Sequence, residues 1–114
     1  MSRKHVTNRY QVITRGDMSG NITSEITDVE QCDHCRYIGV YTGTGLTGSF
    51  KAYSSDDKIL WTELETAALA AVATGDDISI LIQLIDFKYI KLVYTYSAGT
   101  GTLNAYIKAA SIGA

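Results

Sequence analysis

Glycine, unaided by proline, sets the lengths open to any regular element of this chain. The 114 residues hold no proline, and glycines punctuate them at Gly16 and Gly20, at Gly43, Gly45 and Gly48, at Gly75, and at Gly99 and Gly101. Glycine takes backbone conformations that other residues resist, so such clusters mark turns. The pieces between them are strand-length. They are rich in the β-branched and aromatic side chains that fit a pleated surface, with 13 Thr and 8 Tyr in the chain.

Within those pieces apolar and polar residues alternate as in half-buried strands. Residues 10–14 form a short strand, and in 22–27 Ile22, Ser24 and Ile26 alternate against Thr23, Glu25 and Thr27. Residues 35–42 follow, with Ile38 and Val40 on one face and Tyr37 and Tyr41 on the other. Residues 49–54 and 59–64 read as a hairpin across 54–57, where Ser and Asp side chains bond their own turn backbone. Residues 78–85 and 89–96 are the most apolar strands, and 102–108 is expected to pair back on 89–96 through the glycine turn at 97–101. Residues 66–74, with five alanines beside Leu69 and Val72, break the pattern and predict a short helical crossover. The expected fold is all-β: a single antiparallel β-sandwich of jelly-roll or Greek-key type with about eight strands. It occupies residues 10–114, preceded by a polar N-terminal arm over 1–9.

One domain of this size buries roughly two-thirds of the surface its unfolded chain exposes, so it has a core without needing disulfides. The net charge of −2 and pI near 5.5 supply no field that draws the body onto nucleic acid. The arm is locally basic through Arg3, Lys4 and Arg9. No apolar stretch follows these charges, so no secretory leader is expected. Gln83, Asp86, Lys88 and Lys91 interrupt the longest apolar run and exclude a membrane-spanning helix.

Cys32-Asp33-His34-Cys35 places two thiols where one tetrahedral zinc ion can take both, but a closed site needs two further ligands, and the chain's histidines are only His34, inside the motif, and the distant His5. The expectation is therefore two small core-entrance residues, no resident metal and no cofactor. Asp56-Asp57 and Asp76-Asp77 lack calcium-loop spacing and read as turn formers. No Ser-His-Asp arrangement is available, because neither histidine stands near a candidate nucleophile. Residues 43–48 fit G-x-G-x-x-G, yet a strand rather than a helix follows, so they read as a hairpin loop. Trp61, Tyr94 and Tyr96 are the aromatic candidates for interface anchors or a sugar-stacking platform.

The segment Tyr89-Ile90-Lys91-Leu92-Val93-Tyr94-Thr95, a Ser/Gly/Thr turn and Gly101-Thr102-Leu103-Asn104-Ala105-Tyr106-Ile107 resemble a pattern near the C-termini of small virion proteins of tailed bacteriophages. Upstream, Asp56 to Leu64, with Trp61, Thr62 and Leu64 in place, resembles a hairpin of the same proteins, and the likeness covers about residues 37–108. The turn at Asp56-Asp57-Lys58, where glycine is typical, and the Cys32–Cys35 motif depart from it. The resemblance implies a non-enzymatic virion structural protein, most specifically a capsid decoration or cement protein. Its implied partners are the major capsid protein, other virion proteins and further copies of itself, with no membrane and no nucleic acid. Arg3, Lys4, His5 and Arg9 are then expected as arm contacts, and Trp61, Tyr94 and Tyr96 as anchors. A tail, head-tail adaptor or fibre-associated subunit is the alternative within that class. A carbohydrate-binding module and a zinc-dependent interaction module are the alternatives outside it.

Overall fold

A computed structural model describes the backbone of residues 4–69, 76–82 and 85–113, with side chains over 9–64 and 85–110. Every regular element among the described residues is a strand: β1 (Lys4–Asp17), β2 (Ile22–Thr23), β3 (Thr27–Asp28), β4 (His34–Ser55), β5 (Thr62–Leu69), β6 (Asp76–Ile82) and β7 (Tyr89–Gly113). All pairings are antiparallel, and together they make one continuous sheet. Its spine is the pairing of β4 with β7, from His34 opposite Ala110 to Ser55 opposite Tyr89.

These two strands are too long to run straight. A strand of 22 residues such as β4 would reach about 70 Å at ~3.3 Å per residue, whereas the longest dimension of the protein is 51 Å. The Tyr41 and Phe50 rings lie 6.4 Å apart although nine positions of extended strand would separate them by about 30 Å. The spine therefore folds over on itself between them. In the first half β1 and β6 flank it, in the order β1-β7-β4-β6; in the second half β2 and β3 flank β7 while β5 flanks β4. The core lies between the two halves.

The glycine clusters make the fold. Three steps along β4 match two along β7 between Thr44–Thr100 and Thr47–Ala98, and the next step of β4 matches two of β7. Each strand thus takes up one extra residue, and an extra residue turns the following side chains to the opposite face. The inward set changes accordingly, from Cys35, Tyr37 and Tyr41 to Phe50 and Ala52 on β4, and from Ile90, Leu92 and Tyr94 to Leu103, Ala105 and Ile107 on β7. Gly99 sits at φ +94°, where a Cβ would lie 2.5 Å from the Gly45 carbonyl. A Cβ on Gly43 would strike the Thr100 carbonyl, so the strands meet closely only because side chains are absent.

Several expectations are corrected. Residues 43–48 and 97–101 are not hairpin turns but facing bulges inside β4 and β7; residues 89–96 and 102–108 belong to one strand and do not pair with each other. Among the described residues the element count is seven rather than about eight, since pieces expected to be separate are joined. The helical crossover at 66–74 is absent where described, because Thr66–Leu69 pairs with β4 as part of β5; residues 70–74 lie outside the described residues. The alanine-rich composition is overridden there by edge pairing. The hairpin of 49–54 is present, but its partner begins at Thr62, and residues 56–60 form a bend. Residues 22–28 contain two short pairings with β7 separated by residues 24–26, where the Ser24 hydroxyl accepts the Leu92 N–H. Residues 4–9 continue β1 and pair with Lys108–Gly113.

Candidate interaction surfaces

The bend after β4 is built by two side chains. The Ser55 hydroxyl accepts the N–H groups of Asp57 and Lys58, and the Asp57 carboxylate accepts those of Ile59 and Leu60 at 2.8 and 2.9 Å. These bonds, led by that from Leu60, hold the Asp57 carboxyl below its ordinary range. Lys58 takes the left-handed conformation at φ +64°. The result is a preformed loop that presents Ile59 and Leu60 to solvent at 77% and 76% exposure. Beside it lies a cleft of about 460 Å³ with Leu60, Leu64 and Phe87 among its apolar walls and Asp56, Asp57 and Asp86 on its rim. Two adjacent exposed aliphatic residues on a hydrogen-bonded loop are a contact surface that alternation does not reveal, because the pattern of residues 59–64 reads as strand. The signal was present: consecutive apolar residues cannot share one strand face.

The outer face of the second half carries the aromatic cluster. The Lys91 ammonium stands 4.1 Å from the Trp61 ring centroid and 5.9 Å from that of Tyr53, while Lys51 pairs with Glu63 at 3.7 Å. Trp61 is half-buried, and the lysine occupies one of its faces. Tyr94, expected as an anchor, is instead a core residue: it is fully buried, its ring lies 5.2 Å from that of Phe50, and its hydroxyl donates to the Met18 carbonyl. Burial, and Tyr96 after it, raise its pKa. The inward switch at the bulges decides this, since it puts even-numbered residues of β7 into the core before Ser97. Tyr96, two positions on, is exposed and separate from Trp61's cluster as described.

The outer face of the first half is basic. Register puts Arg9 opposite Lys108 and Lys108 opposite Arg36, three exposed cations in one row across β1, β7 and β4. The Arg9 guanidinium also lies 4.3 Å from the centroid of the Tyr106 ring in the next row. Of the expected arm contacts, Arg9 alone has a described side chain; the backbones of Lys4 and His5 lie in β1 opposite Gly113 and Ile112, and Arg3 falls outside the described residues.

The cysteines stand at the start of β4, both free, with Cys35 buried and Cys32 half-buried. Burial, and then the neighbouring Cys32, push the Cys35 thiol up to about 12. Burial, with Asp28 and Asp33, raises Cys32 as well. Such thiols are poor nucleophiles at neutral pH, and among the described residues no group of three His, Cys, Asp or Glu gathers. On the same face, Tyr37 is fully buried and its hydroxyl makes no well-formed hydrogen bond. Burial, then Cys35, raise its pKa, and Ser24 beside it partly offsets them.

No family model matches the chain, and no curated protein sequence matches it. Solved structures do. XepA, the PBSX exported protein, matches at TM-score 0.63 and 14% identity over 94% of this chain and 38% of its own. A structure of infectious bursal disease virus matches at TM-score 0.60 and 13% identity over 95% of this chain, which spans 32% of that one. YomS, an SPBc2 prophage-derived protein, matches at TM-score 0.56 and 11% identity over 95% of this chain and 96% of its own. The chain thus spans about a third of the first two and nearly all of the third, and at these identities what it shares with them is an all-β antiparallel fold.

Proposed function

We propose that this chain is a non-enzymatic bacteriophage structural protein, a β-sandwich of jelly-roll or Greek-key type that is a component of the virion. The observation that carries this reading is the end-to-end match to the prophage-derived YomS, nearly equal in extent on both chains. The likeness to XepA and to the infectious bursal disease virus structures supports it. Most specifically we assign it to the head, as a decoration or cement protein that binds the major capsid protein and further copies of itself after assembly in the host cytoplasm. Exposed Ile59 and Leu60 on a rigid loop suit such a role, because a preorganised apolar contact loses little conformational freedom on docking, and weak contacts repeated by symmetry add up to firm attachment.

The test is the copy number of this chain relative to the major capsid protein in purified virions, by quantitative mass spectrometry. A ratio of order one, or a fixed fraction set by the symmetry axes, is the expected result. About 3 to 12 copies per particle would move the protein to the tail or the head-tail junction. Absence from virions would overturn the structural reading.

A further inference from the structure

We infer that the outer face of β1, β7 and β4 is a docking surface for a helix of a different protein that carries an acidic stripe. The inference does not rest on the virion assignment. Arg9, Lys108 and Arg36 stand directly opposite one another across three adjacent strands, all exposed. Like charges placed directly opposite destabilise a sheet; Gln11, Tyr106, Ile38 and Val40 in the adjoining rows are uncharged, and the carboxylate residue that register puts on this face is Asp77, opposite Val40 on β6, two rows away from the cations. A row of this kind is most favourable when anionic groups lie along it.

Spacing selects the partner. Neighbouring strands are ~4.8 Å apart, so the row spans about 10 Å in steps of about 5 Å. Carboxylates at positions i, i+4 and i+7 of a helix repeat in steps of ~5–6 Å and span ~10.5 Å. A helix lying across the strands therefore meets each cation with one carboxylate, whereas alternate residues of an extended strand are ~6.6 Å apart and fall out of step. The next rows supply the apolar side of the contact through half-buried Ile38 and Tyr106 and through Val40, which is 44% exposed. The Arg9 guanidinium stacked against Tyr106 presents the mixed aromatic and arginine surface that interface centres favour. The described residues of this chain form no helix, which favours a different protein over a second copy as the occupant. A polyanion such as DNA is disfavoured by the net charge of −2, which gives no long-range attraction.

The probes are an alanine-based helical peptide of about 20 residues with glutamates at i, i+4 and i+7, a peptide of the same composition with the glutamates dispersed around the helix, and a short DNA duplex. Each is titrated into the labelled full chain while backbone amide NMR shifts are followed at about 50 and 300 mM salt. The striped peptide is expected to shift amides around Arg9, Arg36, Tyr106 and Lys108, to bind several-fold more tightly than the dispersed one, and to weaken at the higher salt. Arg36→Glu with Lys108→Glu is expected to weaken it roughly tenfold; should that variant fail to fold, Arg36→Gln alone, expected to give a smaller loss, replaces it. Equal binding of the two peptides, shifts centred elsewhere, no binding, or tighter binding of the duplex would each overturn the proposal, the last in favour of a nucleic-acid surface.

Discussion

Gly99 and Gly20 have the same side chain and opposite tolerance for a larger one. Around Gly20 nothing lies within 4 Å of an added Cβ, whereas at Gly99 a Cβ would collide with the Gly45 backbone in a left-handed conformation. Gly99→Ala is expected to cost at least ~2 kcal/mol, from backbone strain plus overpacking, and Gly20→Ala to stay within about 0.5 kcal/mol. Denaturant unfolding of the two variants decides it, and equal losses would remove Gly99 from the kink. Tyr37 offers a second comparison. A buried hydroxyl without a well-formed partner costs desolvation with little return, so Tyr37→Phe is expected to keep or raise Tm. A loss above ~1 kcal/mol would show that Ser24 holds that hydroxyl in a real bond. Asp57 gives the pH dependence. Its folded carboxyl is held below 3.8, so the loop's stabilisation is complete above the unfolded value and fades as pH falls through the lower, folded one. The amide shifts of Ile59 and Leu60 are expected to titrate with a midpoint below 3.8; a midpoint at or above that value would detach the carboxylate from the loop.

At the scale of elements, β4 and β7 place two surfaces by folding once. The kink puts the two ends of the spine in different sheet halves, with the 56–60 loop following β4 in one half and the Arg9–Lys108–Arg36 row in the other. Because Ile59 and Leu60 are exposed, Ile59→Ser with Leu60→Ser is expected to leave stability within about 0.5 kcal/mol. The same double variant is expected to lower the number of copies per virion several-fold when it replaces the natural chain. A large loss of stability would mean that the pair packs rather than docks, and an unchanged copy number would take the loop out of the attachment. Tyrosines two positions apart share a face in a regular strand, so the sequence alone makes Tyr94 and Tyr96 equivalent. The bulge just beyond them ends that regularity, leaving one in the core and the other exposed.

At the scale of the molecule, the spine joins residues far apart in sequence, as His34 and Ala110 are. Non-local pairing of this kind makes folding slow, in milliseconds to seconds. The chain has no proline, so refolding after long denaturation is expected to lack the phase of ~10–100 s that prolyl isomerisation causes. Stopped-flow refolding with interrupted-unfolding controls checks this. A slow phase that grows with time spent unfolded would contradict it.

All-β character, antiparallel pairing, the 49–54 hairpin edge and the two Gly-rich interruptions were legible in the residues, because alternation and glycine placement are local properties. Strand partners were not. Whether a glycine cluster reverses the chain or only kinks it depends on what lies opposite, and Gly43 to Gly48 is a kink because Ala98 to Gly101 bulges against it. The same holds for surfaces. That Arg9, Arg36 and Lys108 are charged and near strand ends can be read from the chain, but their row exists only through the registers of β1 on β7 and β7 on β4. The alternating pattern specifies which residues share a face of one strand; pairing between distant strands, and the single extra residue each spine strand absorbs, decide which face becomes the core.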